Sequence, residues 1–174
     1  MSLKSEKISL RALEPEDLDF LHEIENDKSV WEISNTIAPY SKFILKKYLE
    51  NAQQNIYEAQ QLRLVIQLNQ SKEAIGLVDL FDFDAKNARV GLGIIIKKQF
   101  QKKGFGKIVL QIVSSYVFET LQLHQIYVNI LEDNAPSLKL FTNFGFVKIG
   151  EKKDWIKANN QFKTEIMFQL INSK

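Results

Sequence analysis

The first half of the chain changes from helical to strand patterns. An apolar stretch over 8–13 predicts a first strand, and Pro15 then opens a helix. Ser41 can cap a second helix after a short polar break. The inner side of this second helix is predicted to carry Ile44, Leu45, Tyr48, Leu49 and Ala52. Alternating and β-rich patterns then predict three strands, over 62–68, 74–83 and 89–96.

The second half begins with a basic, glycine-containing loop at 97–107, which runs into a long helix. A strand is predicted over 125–131, where β-branched and aromatic residues are frequent. A further helix should lie between Asn134, a good capping residue, and Gly145, which suits a left-handed helix end. The buried side of the long helix is predicted to carry Val109, Val113, Tyr116 and Val117.

A hairpin closes the pattern, and no linker or repeat divides the chain. Its strands are predicted over 146–155 and 162–170, around a polar turn at 157–160. The whole order is strand, two helices, three strands, helix, strand, helix and two strands. The chain has 174 residues, 45% hydrophobic and 25% charged, which is enough to bury a substantial core. The sequence therefore predicts one globular α/β domain over residues 1–174.

Composition argues against several kinds of site. The chain has no cysteine, so disulfides, thiolate metal sites and cysteine nucleophiles are excluded, and its two histidines lie far apart. We therefore expect chemistry without a metal. The net charge of +2 gives no reason to expect a nucleic-acid surface, and no apolar run has the length of a membrane helix. Residues 1–20 show no signal-peptide pattern, so a cytoplasmic enzyme is the default expectation.

The loop at 97–107 has the features of an anion site. Its two glycines let the backbone approach a ligand, and the helix that follows begins with unpaired N–H groups. Pyrophosphate is the natural ligand. A dinucleotide-binding loop would need a third glycine, and a P-loop would need Ser or Thr after Gly106-Lys107. Taken alone, the segment can also be a surface loop with solvated lysines, namely Lys97, Lys98, Lys102, Lys103 and Lys107.

Two motifs in this order indicate a family. Residues 101–106 read Q-x-x-G-x-G, which resembles the coenzyme A pyrophosphate loop of the GNAT superfamily of N-acetyltransferases. Residues 134–146 match N-x-x-[AS]-x-x-L-[YF]-x-x-x-G-F, which is similar to a second segment of the same superfamily. The element order resembles the GNAT fold over nearly the whole chain. The resemblance implies an α/β fold with a central, mixed, mostly antiparallel twisted sheet flanked by helices.

The resemblance also implies acetyl-CoA as the co-substrate and direct attack of a primary amine on its thioester. Backbone N–H groups of the strand at 94–96 should hold the pantetheine arm and polarise the thioester carbonyl. An alkylamine with a pKa of about 10 must lose a proton before it attacks. The implied cofactor-binding residues are Ile94, Ile95, Ile96, Gln101, Lys102, Lys103, Gly104, Phe105, Gly106, Lys107, Asn134, Ser137 and Phe141.

Two catalytic groups that are common in the superfamily are missing here. A tyrosine proton donor is usual at the position of Phe141, and polyamine enzymes often have a glutamate where residues 90–92 read Val-Gly-Leu. Ser137 matches a serine proposed as donor in N-terminal acetyltransferases, and is equally explained as a first-turn helix serine. Asp79 or Glu132 could accept the amine proton, although such acids are more often salt-bridge or turn residues.

The acceptor is predicted from a second resemblance. Segments 10–18 and 121–126 resemble the branch that holds spermidine and diamine N-acetyltransferases and ribosomal-protein N-terminal acetyltransferases. A small amine or polyamine is therefore the first hypothesis; a protein N-terminus, an aminoglycoside-like amine, or CoA binding without turnover are the alternatives. A homo-oligomer is also considered, because an exposed final strand could pair with a second copy. Acidic residues that suit a polyamine, or simply form a solvated surface, are Glu23, Glu25, Asp27, Glu32, Asp79, Asp82 and Asp84.

Overall fold

One seven-stranded sheet organises the computed structural model, which describes residues 3–34, 36–52 and 54–173. The strands are β1 Ile8–Arg11, β2 Leu62–Leu68, β3 Ala74–Asp84, β4 Arg89–Ile96, β5 Gln125–Leu131, β6 Val147–Ala158 and β7 Gln161–Ile171. Their order across the sheet is β1-β2-β3-β4-β5-β7-β6. Only β4 and β5 run parallel among the neighbouring pairs of described strands. The predicted central, mixed, mostly antiparallel sheet is confirmed.

Helices lie on both faces of this sheet. They are α1 Leu18–Glu25, α2 Lys28–Ser34, α3 Lys42–Glu50, α4 Ile56–Ala59, α5 Phe105–Ser115 and α6 Ala135–Phe144. Short 3₁₀ turns precede α1 and follow β4, and a π-helical turn at Tyr116–Thr120 continues α5. Ser41 caps α3 as predicted, because its side chain accepts a hydrogen bond from the Ile44 N–H.

The sequence patterns missed two short helices and misplaced two apolar side chains. The segment expected as a polar break contains α2, and α4 begins where the Asn55 side chain accepts hydrogen bonds from the N–H groups of Tyr57 and Glu58. Helices this short show too few periodic positions to be recognised. Ile44 and Ala52 were predicted on the inner side of α3, but Ile44 is 50% exposed and Ala52 is exposed beyond the end of the helix. Only Leu45 of that helix is fully buried.

The final hairpin is confirmed, but its turn is tighter than predicted. The turn consists of Asn159 and Asn160, both with positive φ, which asparagine tolerates in two-residue hairpin loops. Residues 157–158 therefore belong to β6 rather than to the turn. The prediction of an exposed final strand was wrong, because β7 lies between β5 and β6. The free edge on this side of the sheet belongs to β6, which is mostly exposed.

The two faces of the sheet bury separate apolar clusters. Leu21 and Ile24 of α1 and Leu45 of α3 pack on Val65 and Leu77 of β2 and β3. We call this the α1 face. The opposite face packs against α5 and α6 and holds the larger cluster, which includes Val78, Leu80, Val90, Leu92, Val109, Leu110, Val113, Val117, Ile126, Val128, Ile130, Phe141 and Phe168. Alternation along each strand then assigns every neighbouring side chain to one face or the other.

The parallel strands β4 and β5 stay together for only a short distance. Their paired residues are Arg89 with Gln125, Val90 with Ile126 and Gly91 with Tyr127. Beyond Gly91, β4 continues to Ile96 beside β3, and β5 continues to Leu131 beside β7, without pairing to each other. We call the space between the unpaired ends the β4–β5 opening. Backbone groups that face it have no ladder partner in the described chain.

A buried ion pair fixes the entry to α1. Asp17 is 5% exposed; it accepts hydrogen bonds from Arg11 at 2.7 and 2.8 Å and from the Glu14 N–H at 2.8 Å. Burial alone would raise the pKa of Asp17, but these hydrogen bonds outweigh it and lower the pKa below its ordinary value. The stabilisation is therefore present above the unfolded-state value of 3.8 and is lost as the pH falls below it.

We expect Asp17→Asn to lower the free energy of unfolding at pH 7 by about 2 kcal/mol, since charged hydrogen bonds are lost. The difference from wild type should shrink as the pH is lowered below 4, because Asp17 takes up a proton more readily in the unfolded wild-type chain than in the folded one, which favours unfolding. Urea unfolding at both pH values measures this. Glu16→Gln, at the exposed neighbouring position, is the control that should change neither value. A deficit independent of pH would contradict the electrostatic explanation.

Candidate functional site

The loop before α5 has the backbone geometry of an anion cradle. Gly104 caps α5 in the left-handed region, with φ +84°, and a Cβ built there would meet nothing within 4 Å. Within the described chain, the N–H groups of residues 102–107 have no hydrogen-bond acceptor, whereas the Ile108 N–H donates to the Gly104 carbonyl. Several unpaired donors and the positive end of a helix therefore lie beside open space, which favours a phosphate group.

Some side chains of the same loop have partners in the protein, whereas some of its lysines form no ion pair in the described structure. Gln101 holds the loop to the end of β4, because its Nε2 donates to the Ile96 carbonyl at 2.8 Å. Lys97 is committed to Glu23 at 2.6 Å, and the Lys103 ammonium lies 5.4 Å from the centre of the Phe100 ring. The described structure shows no ion pair for Lys102 or Lys107, which are both exposed, so these two can approach an anion.

Close packing explains the second glycine of the loop. A Cβ at Gly106 would lie 2.9 Å from Cδ2 of Leu140, so the absence of a side chain lets α5 and α6 approach. Phe105 is half-buried and its ring lies 6.5 Å from that of Phe100. The two glycines thus differ in role: Gly104 leaves room for a ligand and Gly106 leaves room for a helix.

The backbone N–H groups of the strand residues predicted to bind the pantetheine arm point in different directions. The Lys97 N–H donates to the Ile75 carbonyl at 2.8 Å, and the register pairs Leu77 with Ile95. Hydrogen-bonded pairs alternate in an antiparallel ladder, so the Ile95 N–H points to β3 while those of Ile94 and Ile96 point to the β4–β5 opening. Of the predicted set, Ile94 and Ile96 can offer backbone donors there, and Ile95 cannot.

The second motif forms the start and core of α6. The Asn134 side chain accepts a hydrogen bond from the Ser137 N–H at 3.3 Å, as expected of a helix cap. Ser137 is half-buried in the first turn. Phe141 is only 6% exposed and packs edge-on against Phe146, with ring centres 5.1 Å apart. Its contact with a cofactor, like those of Asn134 and Ser137, stays a prediction.

Both carboxylates predicted as candidate bases already have partners. The two oxygens of Asp79 accept hydrogen bonds from Arg63, at 2.6 Å from Nε and 3.1 Å from Nη2. Arg63 also donates to Glu25 at 2.5 Å. Glu132 is exposed and accepts a hydrogen bond from the Thr164 N–H at 2.8 Å, which ties the end of β5 to β7. These contacts favour structural roles for Asp79 and Glu132 over proton transfer.

We call Arg63, Glu25 and Asp79 the Arg63 triad. It lies on the α1 face, and the side chains of all three residues are less than one-fifth exposed. Burial would lower the pKa of Arg63, but the neighbouring Asp79 carboxylate raises it above its ordinary value, so the guanidinium stays charged. With two carboxylates around one cation, the triad retains a net negative charge.

A second ion group also joins one cation to two carboxylates. Lys163 of β7 pairs with Glu32 of α2 and, at 2.6 Å, with Asp133 in the connection between β5 and α6. We call these residues the Lys163 triad. Glu25 ends α1 and Glu32 belongs to α2, so both triads attach to the same helical segment of the chain. Sequence patterns missed the triads because each joins elements that are distant along the chain.

The other acidic residues expected to suit a polyamine are engaged elsewhere. Asp27 accepts hydrogen bonds from the N–H and hydroxyl of Ser29, and Asp84 accepts them from Asn87. Asp82 accepts one from the Tyr127 hydroxyl at 3.1 Å. Burial raises the pKa of Tyr127 to about 12, and the Asp82 charge adds to the effect, so this phenol is a poor acid or base near neutral pH.

In the described ranges, no group of three or more His, Cys, Asp and Glu side chains is arranged to hold a metal ion. No helix among these residues is both long and apolar enough to cross a membrane.

Comparisons with known proteins agree with this geometry. Residues 7–147 match the family model of the acetyltransferase (GNAT) domain. The chain is 28% identical to the spermidine N(1)-acetyltransferase of Vibrio cholerae serotype O1 over 168 residues, covering 97% of this chain and 95% of the relative. It superposes with a TM-score of 0.87 on a crystal structure of spermidine N-acetyltransferase from Vibrio cholerae in complex with CoA and spermine, at 27% identity and 98% coverage of both chains.

A further solved structure describes a dodecamer of the Vibrio cholerae enzyme in an intermediate state. It matches with a TM-score of 0.82 at 28% identity, over 98% of this chain and 96% of the other. The family model covers most of the chain, and the order of the elements, the loop before α5 and the start of α6, which suggested the family from sequence, are all present in the structure. This chain therefore belongs to the GNAT family and is an N-acetyltransferase.

Proposed function

We propose that the chain transfers the acetyl group of acetyl-CoA to a primary amine of a polyamine. The observation that carries this proposal is the pair of ion triads, each with two carboxylates for one cation. Their surplus negative charges are fixed at two places attached to α1 and α2. Separated negative centres suit an acceptor with separated ammonium groups, because each ammonium can be neutralised in turn. The spermidine acetyltransferases among the relatives support the same acceptor class.

The loop before α5 and the edge of β4 are the proposed acetyl-CoA site. The free N–H groups of residues 102–107, with Lys102 and Lys107, bind the pyrophosphate. Ile94 and Ile96 offer their N–H groups to the pantetheine arm and to the carbonyl that will be attacked. Acetyl-CoA supplies the acetyl group as a thioester, and the amine attacks it directly. Assembly as a homo-oligomer, with β6 as the free edge, is part of the proposal by analogy with the dodecameric relative.

In this proposal, proton transfer does not require a general base from the protein. The attacking amine loses its proton to water, since Asp79 and Glu132 already hold partners. A thiol with a pKa of about 8.5 has a stable conjugate base, so sulfur can leave as the thiolate near neutral pH. A phenylalanine at the usual tyrosine position is therefore tolerable. Ser137 stays the candidate donor to the leaving sulfur, because Phe141 has no exchangeable proton.

The experiment that tests the proposed function is CoA release from acetyl-CoA by the purified protein. Acceptors are spermidine, simple diamines, amino-terminal peptides and aminoglycosides, with an amine-free blank for hydrolysis. Release above the blank that is fastest with spermidine or a diamine supports the proposal. Release only with peptides or only with aminoglycosides would reassign the acceptor, and no release with any amine would contradict the activity.

We expect Asp133→Asn to raise the KM for spermidine about three- to fivefold, because one exposed carboxylate of the Lys163 triad loses its charge. The KM for a monoamine such as butylamine should change less, since it carries no second ammonium group. Initial rates at saturating acetyl-CoA measure both values. Glu119→Gln, an exposed substitution on the other side of the sheet, is the control. An equal rise for both amines would contradict recognition of a polycation.

A further inference from the structure

Two glycines of β4 on the α1 face have opposite surroundings. A Cβ at Gly91 would lie 2.3 Å from Cε2 of Phe81, so that ring covers the closed end of the β4–β5 opening and reaches Tyr127, 5.8 Å away between ring centres. A Cβ at Gly93 would meet only the Cβ of Asp79, at 3.8 Å. Gly91 is buried and Gly93 is half-exposed. The backbone at Gly93 is therefore an uncovered patch on the α1 face.

Asn129 borders the same patch from the other strand. The last pair of β4 and β5 is Gly91 with Tyr127, so Asn129 lies two residues further along β5, on the far side of the opening from Gly93. Ile126, Val128 and Ile130 belong to the opposite cluster, which leaves the Asn129 side chain on the α1 face. The uncovered patch at Gly93 thus has Asp79 on one side and Asn129 on the other.

The Asn129 carboxamide has unused hydrogen-bonding capacity. Its Oδ1 is shielded from solvent and has no hydrogen-bond partner in the described chain. A buried carbonyl without a donor is costly, and such a group in a native fold calls for a ligand or a functional reason. Its cross-strand neighbour on β7 is Met167, which carries no donor. The terminal torsion of asparagine is soft, so the oxygen can turn toward a donor that enters above Gly93.

We propose that the Asn129 carboxamide oxygen accepts a hydrogen bond from the N–H of the attacking amine above Gly93. Asn129 then acts directly on the reacting nitrogen, at the edge of the opening where the Ile94 N–H faces the thioester carbonyl. This inference rests on the proposed acetyl transfer to an amine, and it holds for any primary amine acceptor. A carboxamide cannot take up the proton, so Asn129 orients the amine and is not its base.

The hydrogen bond from the amine to Asn129 becomes stronger as the reaction approaches the transition state. The nitrogen lone pair forms a bond to the thioester carbon, the carbon–sulfur bond breaks, and sulfur leaves with the electron pair. Positive charge grows on nitrogen until it releases one proton to water, and CoA thiolate takes up a proton according to pH. The N–H becomes a stronger donor during this step, so its bond to Asn129 stabilises the transition state more than the ground state.

Asn129→Leu tests the assignment, because leucine has a similar size and no acceptor. We expect kcat/KM for spermidine, or for the best amine of the panel, to fall at least about tenfold while the Kd for acetyl-CoA is unchanged. Gln125→Leu is the matched control, since Gln125 lies on the same face of β5 beside the paired part of β4 and bonds to Gln169. Equal losses in the two variants would overturn the assignment.

Asn129→Asp tests the assignment through the pH dependence of kcat, which would not change if Asn129 had a purely structural role. The variant keeps an oxygen acceptor and adds a charge that favours the ammonium form of the bound amine, which raises the pKa of that amine. We expect the rise of kcat with pH to shift to higher pH by about one unit. An unshifted profile would overturn the assignment. A wild-type protein that acetylates amines while Asn129→Leu keeps full kcat/KM defeats this inference alone; a wild type inactive on every amine defeats the proposed function as well.

Discussion

We expect Gly104→Glu to weaken acetyl-CoA binding at least about a hundredfold, as measured by calorimetric titration. The carboxylate would enter the open space at the start of α5, beside the free N–H groups of residues 102–107. It would satisfy those donors itself and repel the pyrophosphate. Because nothing lies within 4 Å of a Cβ at this position, the side chain clashes with no neighbouring atom.

Gly104→Gln separates charge from backbone strain in this prediction. Both variants place a side chain at φ +84°, which costs about 1 kcal/mol of stability, and they differ only in charge. Their melting temperatures should agree, while glutamine should weaken acetyl-CoA binding less than glutamate. A Kd for Gly104→Glu within twofold of wild type, in a folded protein, would contradict the position of the pyrophosphate site.

Arg63→Met should have the largest effect on stability, lowering the free energy of unfolding at pH 7 by about 3–5 kcal/mol. The substitution keeps most of the apolar stem but leaves the carboxylates of Glu25 and Asp79 buried together without a cation. It also removes the guanidinium that lies 5.5 Å from the centre of the Tyr48 ring. Urea unfolding followed by circular dichroism measures the loss.

A double-mutant cycle identifies the cause of that loss. Asp79→Asn removes one of the two unpaired charges, so the double variant of Arg63→Met and Asp79→Asn should recover part of the stability lost by Arg63→Met alone. Arg63→Lys keeps the charge but not the two-pronged contact with Asp79, and should lie between wild type and Arg63→Met. Additive losses in the cycle would show that Arg63 and Asp79 are not coupled.

Local patterns explain why so much of the fold could be predicted. The cap at Ser41, the strand at 125–131 and the helix between Asn134 and Gly145 each depend on neighbouring residues, and all are present as expected. The loop before α5 was predictable for the same reason, since the left-handed Gly104 and the helix start lie within a few residues. Family resemblance then supplied the arrangement of the strands.

Contacts between distant segments could not be predicted in the same way. Asp79 was a candidate base from its place on a strand, but its partner Arg63 comes from the neighbouring strand and Glu25 from a helix. No sequence pattern marks Asn129 as a site residue, because its proposed role depends on where β4 and β5 stop pairing. Ile44 was misplaced because helical spacing gives a face without saying how much of it the sheet will cover.

The short pairing between β4 and β5 also has a mechanical consequence. Strands β1–β4 form one block and strands β5–β7 another. Among the described residues, only the pairs from Arg89 with Gln125 to Gly91 with Tyr127 join the two blocks by a β-ladder. A small twist at this seam changes the width of the far end of the opening while both blocks stay rigid. A thioester arm bound in the opening would contact both blocks and restrict this twist.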